Sequence, residues 1–172
     1  MLGDIASELV IILVLTVANG FFAGSEIAIV SARRSRLESQ AKAGKRGAKQ
    51  ALALSENPDR FLATVQVGIT LIGTFSAAFG GARIGSVLAT WFAQVPALEP
   101  FAETLGLVIV VAGLTYLSLV IGELVPKRLA LRAAESLATF AAPIMTALAI
   151  VARPLVALLT VSVNVVMRLL GQ

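Results

Sequence analysis

A chain of 172 residues that is 58% hydrophobic and only 14% charged departs sharply from soluble domains, which average about 45–50% apolar and about 25% charged residues. This is the composition of an integral membrane protein, with room for one membrane domain and little else. Cysteine and histidine are both absent, which excludes disulfides, thiolate or imidazole metal sites and histidine-based catalysis.

The first apolar segment runs from about residue 5 to 31, enough to cross a bilayer at roughly 20 residues per crossing. Its acidic start at Asp4 and Glu8 does not suit a signal peptide, which needs a basic n-region. Asn19-Gly20 and Gly24-Ser25-Glu26 are expected to interrupt its helix. Residues 33–57 follow as a polar, helical stretch. Eight of the 14 Lys and Arg residues lie between Arg33 and Arg60, which marks this stretch as cytoplasmic under the positive-inside rule. No aromatic residues interleave these charges, so nucleic acid is not an expected partner. Asn57-Pro58-Asp59 reads as a helix start.

The second span covers about residues 61–92, longer than one crossing needs, and Gly80-Gly81-Ala82-Arg83 is expected to divide it. The loop that follows carries Glu99 and Glu103 and no basic residue, as an external loop should. The third span covers about residues 104–122, and Lys127, Arg128 and Arg132 mark the inside again. The N-terminus is thus expected outside, with three crossings and a cytoplasmic C-terminus. Residues 134–170 are apolar, but Pro143 and Arg153-Pro154 are expected to split them into pieces too short to cross. They are assigned as membrane-embedded or juxtamembrane helices. The predicted fold is all-α, with three transmembrane helices plus these, broken at Gly and Pro. Gly20-x-x-x-Gly24 and Gly81-x-x-x-Gly85 allow close helix approach, either within one chain or between two copies.

The most informative residue is Glu123. It ends an uncharged run from Leu105 to Ile121, and ionisable groups at membrane depth are costly and usually functional. Pro126 lacks an N–H and so denies a helical bond to the carbonyl four residues back, that of Gly122. A carboxylate beside a freed carbonyl suits a hard cation. Two further polar patches occupy the other spans: Asn19, Ser25 and Glu26 on the first, and Gln66, Thr70, Gly73, Thr74 and Ser76 on the second. Each hydroxyl alone has an ordinary reading as a bond back to its own helix, and each glutamate could pair with Arg33 or Lys127. Together they are better explained as an ion pathway lined by oxygen, which favours Mg²⁺, Ca²⁺ or Na⁺ over zinc or copper. Intramembrane proteolysis is disfavoured, since the only aspartates, Asp4 and Asp59, lie near span ends. No P-loop is present, and no enzymatic activity is expected.

The segments Ala18-Asn-Gly-Phe-Phe-Ala-Gly-Ser-Glu-Ile-Ala, Gln66-Val-Gly-Ile-Thr-Leu-Ile-Gly and Gly122-Glu-Leu-Val-Pro-Lys together resemble the transmembrane domain of the CorC/CNNM (cyclin M-like) family. The resemblance covers nearly the whole chain, in order and spacing. It implies a single domain over residues 1–172 that forms a homodimer in the plasma membrane. It implies Mg²⁺ export coupled to Na⁺ entry. Cytosolic CBS domains that bind ATP normally follow, and they are absent from this chain, which is expected to be a part of such a protein. Carried over by position, Glu123 and the Gly122 carbonyl fall on the family's Gly-Glu-x-x-Pro motif; Glu123 ranks first as a metal ligand, Ser25 and Ser76 next, and Asn19, Thr74 and Glu26 lower. A non-transporting ion sensor, or a membrane anchor for the cytosolic domains, is the alternative.

The natural absence of cysteine makes the topology directly testable. A Lys45→Cys variant should react with an impermeant thiol reagent only from the cytoplasmic side, and Glu99→Cys only from outside. The reverse pattern would overturn the orientation.

Overall fold

The computed structural model describes residues 2–171, and the side chains of residues 6–79 and 84–171. It is all-helical: α1 (Leu2–Ser31), α2 (Arg34–Lys42), α3 (Arg46–Ser55), α4 (Pro58–Phe92), α5 (Ala102–Leu119), α6 (Val125–Arg132), α7 (Ala134–Val151) and α8 (Arg153–Leu169). A short 3₁₀ turn, Glu99–Phe101, precedes α5, and a π-helical turn, Val120–Leu124, joins α5 to α6. The expected all-α membrane architecture is therefore present. Among the described residues, four stretches are long and apolar enough to cross a bilayer: Ala6–Ser31, Pro58–Phe92, Glu99–Arg132 and Ala134–Val151.

Four expected breaks do not occur. α1 runs unbroken through Asn19-Gly20 and Gly24-Ser25-Glu26, and α4 runs unbroken through residues 80–83. A glycine inside a helix costs only about 1 kcal/mol relative to alanine, too little to end a long apolar helix. Pro143 sits inside α7, which remains one helix of 18 residues. The proline removes one bond, and in α7 that loss does not break the run. Helix starts fall at Pro58 and at Arg153-Pro154 instead, where the missing N–H would be unpaired anyway.

The chain divides into two compact units, Met1–Ala23 with Ile69–Pro126, and Gly24–Gly68 with Lys127–Gln172. In the first, α4 meets α5 at paired glycines. A methyl group on Gly106 would run into the Gly85 carbonyl, and one on Gly85 would sit 3.5 Å from Leu107 Cα. Gly85 thus serves packing within the chain. Its motif partner Gly81 lies outside the residues whose side chains are described. Leu13, Val14, Val108 and Val111 are among the many large apolar side chains exposed along this unit, a surface suited to lipid.

In the second unit the basic stretch forms α2 and α3, turned at Gly44, whose φ of +86° favours glycine. α3 buries Ala48 and Ala51, and α7 buries Ala134, Ala138, Ala141, Ala142 and Met145 along one face. Small residues on both sides bring α3 and α7 together, with Gly47 backing directly onto the Thr139 carbonyl. Proline at position 143 denies that carbonyl its α-helical partner, so this close approach falls on an oxygen of α7 whose usual donor is missing. Glu135 at the start of α7 pairs with Arg33 at 3.3 Å and Arg36 at 3.8 Å. Thr139 Oγ1 donates to Gln40 Oε1 at 3.1 Å.

Gly47→Ala should therefore lower thermal stability in detergent by about 1–3 kcal/mol, the usual cost of overpacking. Gly113→Ala, where a methyl group meets nothing within 4 Å, should be neutral or slightly stabilising. Equal melting temperatures for the two variants would remove Gly47 as the α3–α7 contact.

Candidate functional site

The first unit contains a polar contact between α1 and the π-helical turn. Thr16, Asn19 and Gly20 occupy one face of α1, spaced three and four residues apart, and all three are buried. Asn19 is only 7% exposed. Its Nδ2 donates to the Gly122 carbonyl at 3.0 Å. The oxygen that Pro126 frees is therefore not empty-handed: an amide from α1 supplies the donor that the proline lacks.

The fit around this bond is close. A methyl group on Gly20 would stand 2.9 Å from the Pro126 ring and 3.2 Å from the Ile121 carbonyl. One on Gly122 would stand 3.2 Å from Asn19 Nδ2 and 3.3 Å from the Thr16 carbonyl. Glycine at both positions lets α1 meet the turn backbone to backbone. Within the turn, the Val125 N–H bonds the Val120 carbonyl five residues back. Such π-turns insert one residue into a helix and are frequent at functional sites. Position 126 has no N–H for either the α-type partner Gly122 or the π-type partner Ile121.

Asn19 Oδ1 is the unusual atom here. It is buried and has no hydrogen-bond partner among the described residues. Turning the amide over would set its oxygen against the Gly122 oxygen, so the hydrogen bond fixes Oδ1 in place. Leaving a buried acceptor unpaired costs about 1–3 kcal/mol, and a cation would satisfy it. Thr16 Oγ1, meanwhile, donates to the Ile12 carbonyl at 2.8 Å.

Of the residues the sequence singles out, Asn19, Gly122 and Glu123 come together here through the Asn19–Gly122 bond, with Glu123 adjacent in the turn and half-buried. Ser76 is half-buried, and Thr74 faces outward, donating to the Thr70 carbonyl at 2.8 Å. Ser25 and Glu26 belong to the second unit, where Ser25 is 1% exposed and Glu26 half-buried. No group of three or more acidic, histidine or cysteine side chains gathers among the described residues. A cation held here would rely on neutral oxygens with a single carboxylate. Thr16 was missed by sequence reasoning, although its spacing from Asn19 carries the signal; Gly20 was read as a close-approach residue, without its partner Pro126.

A cavity of about 740 Å³ opens at the acidic loop of the same unit. Glu99, Glu103, Ser86, Thr90 and Thr104 line it, and no basic side chain does.

Residues 9–172 match the family model described as the cyclin M transmembrane N-terminal domain. The chain belongs to the cyclin M (CNNM) transmembrane family. A UPF0053 protein of Synechocystis sp. is 52% identical over 169 residues, covering 98% of this chain and 38% of the relative. An uncharacterized protein of Mycobacterium tuberculosis is 33% identical over 168 residues, covering 98% and 48%. The UPF0053 inner membrane protein YfjD of Escherichia coli is 29% identical over 153 residues, covering 89% and 32%. The chain thus spans less than half the length of these relatives. With its apolar helices, CNNM membership makes this a multi-pass membrane protein.

The Asn19–Gly122 bond makes a specific prediction for this CNNM domain. Asn19→Ala strands the Gly122 carbonyl and should destabilise the protein by about 1–3 kcal/mol. Adding Pro126→Ala restores an N–H at position 126, so the double variant should melt above Asn19→Ala alone. Strict additivity of the two changes would remove the proposed coupling.

Proposed function

We propose that this domain carries Mg²⁺ across the cell membrane, outward and coupled to Na⁺ entry, through a cation site at the π-helical turn. The observation that carries the reading is the buried, unpartnered Asn19 Oδ1, fixed beside the Gly122 carbonyl in the turn that bears Glu123. Hard cations take oxygen ligands, and Mg²⁺ prefers a near-octahedral set at about 2.0–2.1 Å. Glu123 supplies the charge in this scheme. Gly122 and Asn19 supply neutral oxygens; Ser25 and Ser76, then Thr74 and Glu26, are added as further ligands by the family resemblance alone.

Transport then requires the site to open alternately to each side. A π-turn differs from α-helix by one residue of register, so this segment is the natural place for such a change. The basic α2–α3 segment is assigned to the cytoplasm by the positive-inside rule, with the N-terminus outside. The name of the E. coli relative, an inner membrane protein, supports placement in the cell membrane. α3 carries Arg46 and Lys49 and meets α7, which supports α7 as a juxtamembrane helix and not a fourth crossing. Gln66, Thr70, Gly73 and Thr74 are all exposed along α4. The homodimer in this reading rests on the family resemblance. The cytosolic CBS domains implied by the resemblance would be the regulatory part.

Flux measured in liposomes, with Mg²⁺ binding by calorimetry, tests the reading. Glu123→Gln keeps size but removes charge and should weaken Mg²⁺ binding by well over about tenfold, or about 1.4 kcal/mol, and abolish flux. Ser25→Ala and Ser76→Ala should each weaken binding by about tenfold or less with the fold intact. Wild-type binding and flux in Glu123→Gln would sink the site. Mg²⁺ binding without any flux in the wild type would instead favour an ion sensor.

A further inference from the structure

The second unit holds a cavity of about 430 Å³ lined by Asp59, Arg60, Arg153, Val156, Ala157, Thr160 and Val161. Arg60 lies in the first turn of α4 and Arg153 opens α8, so two arginines from different helices line one hollow. Among the described residues neither is in an ion pair. The recorded pairs are those of Arg33, Arg34 and Arg36 with Glu38, Glu56 and Glu135. Asp59 also lines the cavity but is not within ion-pair distance of either arginine. Both helices begin at this hollow, and helix N-termini add positive potential from their unpaired N–H groups.

Much of the remaining lining is apolar. Val156 is buried, while Val161 is 60% exposed and shares a face of α8 with Leu158, Val165 and Leu169, all exposed. A soluble anion would use only the guanidinium end. A lipid would use both: its phosphate between the arginines, and its acyl chain along α8. Planar guanidinium groups bind phosphate oxygens in pairs, and basic pockets beside membrane helices on the cytoplasmic side suit anionic headgroups. Arg60 closes the basic stretch that the positive-inside rule assigns to that side. We propose that Arg60 and Arg153 form a binding site for the phosphodiester headgroup of an anionic phospholipid, which seats α8 at the interface beside the start of α4.

The test uses the purified chain in neutral detergent, titrated with phosphatidylglycerol or phosphatidylcholine while lipid retention is followed by native mass spectrometry and stability by melting temperature. Phosphatidylglycerol should be retained and should raise the melting temperature; phosphatidylcholine should do neither. Arg60→Gln and Arg153→Gln should each weaken phosphatidylglycerol retention about fivefold, the share of one basic residue at an anionic surface. Arg168→Gln, at the far end of α8, should leave it unchanged and controls for general charge. Equal retention of the two lipids, or an equal loss in all three variants, would overturn the site. Inorganic phosphate that displaces phosphatidylglycerol at equal concentration would overturn the lipid assignment in favour of a soluble anion. If either variant fails to fold, Arg60→Lys and Arg153→Lys keep the charge without the planar fork and should retain lipid more weakly than the native chain. Unchanged retention in both lysine variants would overturn the guanidinium–phosphate contact.

Discussion

One missing hydrogen organises the candidate site. Pro126 has no N–H, so a carbonyl at the end of the α5 run loses its helical donor, and in an apolar surrounding that oxygen must be satisfied. Asn19 satisfies it from another helix, and glycine at positions 20 and 122 lets the two backbones come close enough. Every other feature of the site follows from this. The amide is held in one orientation, its oxygen is left over, and Glu123 is carried on a turn whose backbone is no longer α-helical.

The second unit meets the same difficulty with a different partner. Pro143 leaves the Thr139 carbonyl without its helical donor, and Gly47 of α3 is the residue set against it. Here the neighbour offers close packing in place of an amide, and buried alanines on α7 line the contact. Prolines in these helices thus act less as breaks than as points where another helix is drawn in. Where the neighbour contributes an asparagine, the carbonyl gains a donor and the spare polar atom is a side-chain oxygen.

Much of this is legible in the amino-acid order. Long apolar runs, a basic segment and an acidic loop mark the membrane segments, because transfer energies summed over some twenty residues outweigh local detail. Pro126 points to Gly122 because the proline rule acts at a fixed spacing. What proved illegible was how helices respond to small perturbations. Gly20 and Gly24 look like interruptions, yet each costs too little to break a packed helix. Pro143 looks like a boundary, yet α7 continues through it. The partnership of Asn19 with Gly122 joins positions 103 residues apart, and periodicity within a segment says nothing about contacts at that range.

The π-turn also fixes a count. An α-helix advances by about 100° per residue, and the turn at Val120–Leu124 accommodates one residue more than an α-helix of that height would. Removing that one residue would let the stretch close into ordinary α-helical turns, with the segment after it kept close to its present phase. The segment therefore works as a store for one residue. It tolerates exchange of apolar side chains at its outward positions, where Ile121 and Leu124 are exposed. A one-residue deletion here would keep the helix that follows and lose the widened backbone that carries Glu123.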